Sequence, residues 1–223
     1  MPEITRQPAR QSKSFREARQ LMDRLREVSF PALWDDNDPW YSYKLMSLYA
    51  SMGEITLPGD YAQFGVYKGR CARFISSFLC TGRQLHLFDS FEGLPEDWLG
   101  PWRKGAFALS KDEIPQFDCD DVHVHVGWFH DTIPQVKVDL QSPLAFIHAD
   151  ADLYHSTMDI LEGLNDCIAP GTIILFDEYA LKSGDQYDDG EHRALLEWGA
   201  RRERKFDYLW RTQHCQVAIR VTR

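Results

Sequence analysis

From Tyr61 onward the chain alternates short apolar runs with helical segments, and almost every apolar run stops at a glycine or an acid. YAQFGV (61–66) ends at Gly65, with Gly69 four residues on. QLHLF (84–88) ends at Asp89. PLAFIHA (143–149) ends at Asp150, with Asp152 just beyond, and TIILFDEY (172–179) runs into Asp177 and Glu178. VHVHV (122–126) is a further strand pattern, and FDYLW and QVAIRVT suit two closing strands. Between these lie the helical patterns RCARFISSFL (70–79), STMDILEGLNDCI (156–168) and GEHRALLEWGARRE (190–203), while DTIPQVKVDL reads as a short helix or loop. Strands alternating with helices specify an α/β fold with a doubly wound sheet and helices on both faces. The crossover rule then gathers the strands' C-terminal ends on one side, where ligands bind in such folds.

The part before Tyr61 is different. Residues 1–13 are polar, carry Pro2 and Pro8, and read as a flexible tail. From Ser14, Phe15, Ala18, Leu21, Met22 and Leu25 recur at helical spacing, with Ser14 as N-cap, Glu17 at the third position and Pro31 as the stop. Trp40 to Met52 reads as a second helix. The expected organisation is a tail (1–13), an N-terminal helical extension or lid (14–57) and one main domain (58–223). The two early helices suit a cover over the site or a homodimer contact.

Composition excludes several classes. The formal charge of −9 argues against nucleic acid as partner, because phosphate contacts need a basic stripe, and ARRERK (200–205) reads as the solvated end of a helix. No apolar run is long enough for a membrane span, which takes about 18 residues or more, and the N-terminus lacks a signal's apolar core. The five cysteines are scattered, without CxxC spacing, which favours reduced thiols in a cytoplasmic setting.

The strand ends suggest chemistry. A glycine turn after the first strand lets a ligand approach the backbone, and an acid ending the next strand is placed to accept from ribose hydroxyls, so Gly65, Gly69 and Asp89 describe a nucleoside site. The same residues also suit a tight turn and a strand-end cap. Asp150 or Asp152 with Asp177 and Glu178 would repel one another unless a cation sits between them, and oxygen ligands suit Mg²⁺ or Ca²⁺. The alternative is that one acid caps a helix and the others face solvent.

FGVYKGRCARFI, LFDSFEGLPEDW, GWFHDTIP, ADADLYHSTMDIL, GTIILFDEY and the late EHRALLEW with QVAIRV resemble, in order from about residue 58 to 221, the class I S-adenosylmethionine-dependent methyltransferases of the macrocin O-methyltransferase (TylF/MycF-like) group. The resemblance implies a Rossmann-like, mostly parallel seven-stranded sheet, bound S-adenosylmethionine and a divalent metal, usually Mg²⁺. It also implies methylation of a hydroxyl on a sugar or other natural product. It places the methionine moiety at Phe64, Gly65 and Gly69, the ribose at Asp89 with Ser90 and Phe91, and the adenine near Gly127, Trp128 and Phe129. Asp150, Asp177 and Glu178 would hold the metal, with Asp152 beside them tying Tyr154 or the following helix. Gln63 stands where the family often has Glu, and Glu178 where many relatives have Asp.

For catalysis, Asp150 serves as base as well as ligand, and His148, two residues earlier on the same strand face, is the second candidate. His155 and His130 are further histidines near the site, the latter structural in character. Trp98 and Trp102, in the long loop after Ser90, are placed to stack on a planar acceptor. Two other readings keep the fold: a metal-independent N-methyltransferase, and a nucleoside-binding protein without catalysis.

Overall fold

The computed structural model describes residues 13–140 and 143–223. The expected tail falls outside them except for Lys13. Helices α1 (Lys13–Met22) and α2 (Pro39–Met52) precede β1 (Tyr61–Phe64), α3 (Arg70–Ser76), β2 (Leu85–Asp89), β3 (Val122–Val126) and α4 (Phe129–Val136). Then follow β4 (Phe146–Ala149), α5 (Tyr154–Gly163), β5 (Ile173–Phe176), β6 (Lys182–Ser183), β7 (Gln186–Tyr187), α6 (Gly190–Arg201), β8 (Phe206–Arg211) and β9 (Val217–Val221).

Among the described residues the main sheet has seven strands in the order β3-β2-β1-β4-β5-β9-β8, parallel except where β9 pairs with β5 and β8. The central strands are apolar throughout because both faces are covered. Ala62, Phe64, Ile147 and Phe176 pack with Ala18, Met22, Ile160, Leu195 and Trp198 from α1, α5 and α6. Tyr61, Phe146, Ile173 and Leu175 pack with Leu48, Ala72 and Ile75 from α2 and α3.

Two expectations about α1 change. Ser14 lies inside α1 rather than capping it. That helix ends at Met22, short of Leu25, where the Arg211 Nε of β8 donates to the Met22 carbonyl at 2.6 Å and satisfies an end carbonyl from outside the helix. The stretch after Tyr179 forms the small β6–β7 hairpin. The N-terminal extension is also continuous with the domain, since Ala18 and Met22 belong to the same core as the sheet. Among the described residues no helix is long and apolar enough to cross a membrane.

Candidate active site

The register of the parallel strands explains the acidic strand ends. Phe64 aligns with Phe88 and Ala149, and Ala149 with Phe176, so Gly65, Asp89, Asp150 and Asp177 follow at one level. They stand where the strand order reverses between β1 and β4, the place where open α/β sheets take ligands. A cavity of about 1120 Å³ opens there, with Lys44, Gly65, Asp89, Trp128, Asp150 and Glu178 among its lining.

The glycine turn is built by close backbone approach. Gly65 has φ +79°, and a Cβ there would stand 1.8 Å from the carbonyl oxygen of Asp150. Asp150 N–H in turn donates to Phe64 O at 3.0 Å, so the end of β1 and the first residue after β4 form one unit. Asp89 fixes the turn: its Oδ2 accepts from the backbone N–H of Val66 (2.7 Å) and Tyr67 (2.8 Å), and its Oδ1 from that of Phe91 (2.8 Å). A carboxylate offers about four acceptor positions, so the three amides leave one on Asp89, which lines the cavity. Gln63 is buried, and its Nε2 donates to Gly65 O at 2.9 Å, which makes it a brace for the turn.

The expected cofactor residues divide into two groups. Gly65, Asp89, Ser90, Trp128 and Phe129 line the cavity. Phe64, Gly69, Phe91 and Gly127 do not. The Phe64 ring stacks on Phe88 in the core, with centroids 4.6 Å apart. Phe91 is buried on the other face of the sheet. Gly69 (φ +76°) starts α3 with no room for a Cβ beside Pro115 and Phe117, and Gly127 N–H donates to Asp89 O at 3.0 Å. These four shape the backbone around the cavity.

The carboxylates do converge, and they converge on a residue that strand-end reasoning missed. Lys44 Nζ lies 2.9 and 2.8 Å from the two Asp150 oxygens, 2.7 Å from Asp177 Oδ2 and 3.9 Å from Glu178 Oε1. The contact with Asp177 is an ion pair without hydrogen-bond alignment, since neither Asp177 oxygen has a hydrogen-bonding partner. Glu178 Oε2 and both ring nitrogens of His148 are likewise buried without one. Such orphaned atoms are uncommon in a folded interior, and here they gather around one ammonium group.

Charge is distributed unevenly across the cluster. Burial works against ionisation of Asp177, yet the Lys44 ammonium together with the neighbouring His148 and Glu178 outweighs it and holds the carboxyl far below the usual range. Burial raises the Asp150 carboxyl against the pull of Lys44. Glu178 is pushed well above its ordinary value by burial and by the charge of Asp177. Lys44 stays cationic because, although burial opposes its charge, Asp150, Asp177 and Glu178 favour it more.

His148 is fully buried below the cavity, with Nε2 3.9 Å from Asp177 Oδ1, so its contact with the site runs through Asp177. His130 and His155 line the cavity. Asp152 corrects the expectation of a tie to Tyr154, whose hydroxyl donates instead to Glu197 at 2.5 Å. Asp152 takes φ +59°, an uncommon conformation for a residue with a Cβ, and lines the cavity. The ligand atoms of Asp150, Asp152 and Glu178 lie within 4.8 Å of one another, as do those of His148, Asp150 and Asp177.

Lys44 did leave a signal in the sequence: it is the single charged residue of α2, PWYSYKLMSLYASM. A lone charge in an otherwise uncharged helix is either a surface exception or a buried partner. The cavity's outer wall comes from the long loop. Trp102 packs on Phe107 and Phe107 on Tyr67, with centroids 4.6 and 5.9 Å apart. Trp98 Nε1 donates to Asp188 Oδ2 at 2.6 Å and Gly100 N–H to Gln186 Oε1, which ties this loop to the hairpin and to the start of α6.

Comparison with known proteins gives consistent results. A family model described as macrocin-O-methyltransferase (TylF) matches residues 44–194. An 8-demethyl-8-(2,3-dimethoxy-alpha-L-rhamnosyl)-tetracenomycin-C 4'-O-methyltransferase of Streptomyces olivaceus is 32% identical over 56% of this chain and 54% of its own length. A demethyldecarbamoylnovobiocin O-methyltransferase of Streptomyces niveus is 31% identical over the same shares, so the match spans about half of these curated relatives. Among solved structures, the O-methyltransferase NovP is similar in fold, with TM-score 0.65 and 22% identity over 82% of this chain and 81% of that one. The calicheamicin methyltransferase CalS11 gives TM-score 0.64 and 20% identity over 99% and 97%.

Proposed function

This chain belongs to the macrocin O-methyltransferase (TylF) family, and we propose that it is an S-adenosylmethionine-dependent O-methyltransferase acting on a hydroxyl of a small natural-product acceptor. The names of the tetracenomycin and novobiocin relatives support that acceptor class. The observation that carries the reading is the contact between Gly65 and Asp150: the turn suited to the cofactor and the carboxylate suited to the proton share one backbone junction on the cavity floor.

The donor supplies an electrophilic methyl on a sulfonium, so the acceptor oxygen forms a C–O bond while the C–S electron pair goes to sulfur. The hydroxyl proton must leave, and Asp150 is the carboxylate placed on the cavity floor to take it. Asp177, buried behind it and held ionised, is paired with Lys44 at 2.7 Å and keeps negative charge under the site. The aromatic wall of Tyr67, Trp102 and Phe107 orients an apolar ring of the acceptor and excludes water. Positioning of this kind is the larger part of catalysis for an in-line displacement.

A divalent cation fits the donor set, because ligand atoms of Asp150, Asp152 and Glu178 lie within 4.8 Å of one another, those of His148, Asp150 and Asp177 do likewise, and both Asp177 oxygens and Glu178 Oε2 lack a hydrogen bond. Asp150, Asp177 and Glu178 would hold it, with Asp152 in reach, and it would lower the pKa of the acceptor hydroxyl. A cytoplasmic setting is supported by five free cysteines.

The test is transfer of label from methyl-labelled S-adenosylmethionine to a panel of hydroxylated glycosides and aglycones. Transfer by the native chain and its loss in Asp150→Asn is the expected pair of results. Equal transfer by both proteins would remove Asp150 from the mechanism, and no transfer to any acceptor would favour the non-catalytic reading.

A further inference from the structure

Lys44 occupies the place a metal would need. Its ammonium is within 2.9 Å of both Asp150 oxygens and of Asp177 Oδ2, which are the oxygens a divalent ion would draw on at roughly 2.0–2.6 Å. Two cations at bonding distance from the same buried oxygens repel strongly, because little water is present to screen them. The site therefore takes one or the other.

We infer that Lys44 is a tethered cation that competes with the divalent metal, and that metal loading requires its side chain to swing out of the carboxylate cluster into the cavity. This rests on the reading of Asp150, Asp177 and Glu178 as a cation site. The helix that carries Lys44 is held in place, so the side chain is the moving part. Asp38 caps α2 by accepting from Tyr41 N–H at 3.1 Å, and the same residue pairs with Arg70 at 2.6 Å. The Arg70 guanidinium lies 3.5 Å from the centroid of the Tyr41 ring, and Leu48 of α2 is fully buried. Lys44, in contrast, has four rotatable bonds and lines the cavity, so an exit is open to it.

The arrangement has two consequences for the site. Without metal, Lys44 pairs with Asp150 and Asp177 and keeps the cluster ordered, which spares the fold the cost of unpaired buried carboxylates. With metal, the displaced ammonium enters the cavity as a mobile donor beside the acceptor's position.

The experiment uses the full chain and Mn²⁺ as the probe. Binding is read from the loss of the free-ion electron paramagnetic resonance signal in the native protein and in Lys44→Met. Exposure of the Lys44 amine is read by reductive methylation and mass spectrometry of the native protein with and without Mn²⁺. The inference expects Lys44→Met to bind on the order of tenfold more tightly or better. It also expects Lys44 to be protected without Mn²⁺ and labelled with it. Equal affinities, or Lys44 equally protected in both conditions, overturn the competition while leaving the metal site standing. Failure of both proteins to bind Mn²⁺ overturns the competition together with the metal. The labelling arm stands on the native chain even if the variant fails to fold.

Discussion

A Cβ on Gly65 would lie 1.8 Å from the carbonyl oxygen of Asp150, so the first turn of the sheet and the central acid of the site are one rigid junction. Gly65→Ala meets backbone on one side and a φ of +79° on the other, and neither can relax cheaply. The variant is expected to lose roughly 2 kcal/mol or more of stability. Denaturant melts check the stability, and calorimetry on the folded fraction is expected to show no S-adenosylhomocysteine binding.

Asp150→Asn keeps shape and removes the base. Methyl transfer is expected to fall roughly 10²- to 10⁴-fold, while affinity for S-adenosylhomocysteine stays within about threefold, within the spread of a neutral substitution. Steady-state kinetics beside calorimetry separates the two. A parallel loss of both would make Asp150 a cofactor-site residue.

Trp98→Phe removes the 2.6 Å hydrogen bond to Asp188, whose other oxygen accepts from Gly190 N–H at the start of α6. The outer wall of the cavity then loosens without touching the carboxylates. The expected change is a KM for the acceptor raised roughly three- to tenfold, the equivalent of one modest hydrogen bond, with kcat nearly unchanged.

Stability is expected to depend on pH through a pair of histidines on β2 and β3. His86 Nδ1 and His125 Nε2 are 3.1 Å apart, which needs at least one neutral ring. Burial, reinforced by His86, pulls His125 from 6.5 to about 4. Between those values the unfolded chain binds more protons, so this contribution is full above 6.5 and is lost as pH falls toward 4. His125 is partly exposed, and the loss is on the order of 1–2 kcal/mol. Denaturant melts at pH 7 and 5 check it, and His125→Gln is expected to flatten the difference.

Chelation is expected to lower methyl transfer on the order of 10²-fold, with recovery on adding Mg²⁺ and no change in S-adenosylhomocysteine affinity. Full activity after exhaustive chelation would leave the Lys44 ammonium as the site's working cation.

The fold was legible because parallel strands covered on both faces must be apolar throughout and must stop abruptly. The runs ending at Gly65, Asp89, Asp150 and Asp177 therefore marked both the sheet and the rim where the cavity opens. Residues acting within one strand end were found in this way. Lys44 was missed because its role depends on α2 packing across the rim from 106 positions away in sequence, a tertiary fact with no local pattern. The division of labour between Phe64, in the core, and Gly65, at the cavity, turns on which way one residue faces, and a motif does not specify that. Asp89 shows the same limit. An acid after a second strand suits a ribose or a backbone, and here the backbone amides of Val66, Tyr67 and Phe91 hold it.

The most direct measurement is calorimetric titration of the full chain with S-adenosylhomocysteine. One-to-one binding in the micromolar range, lost in Gly65→Ala and retained in Asp150→Asn, is the expected result. Absence of heat with the native chain at micromolar and higher concentrations would contradict the assignment of the Gly65 turn as a cofactor site and the methyl transfer built on it.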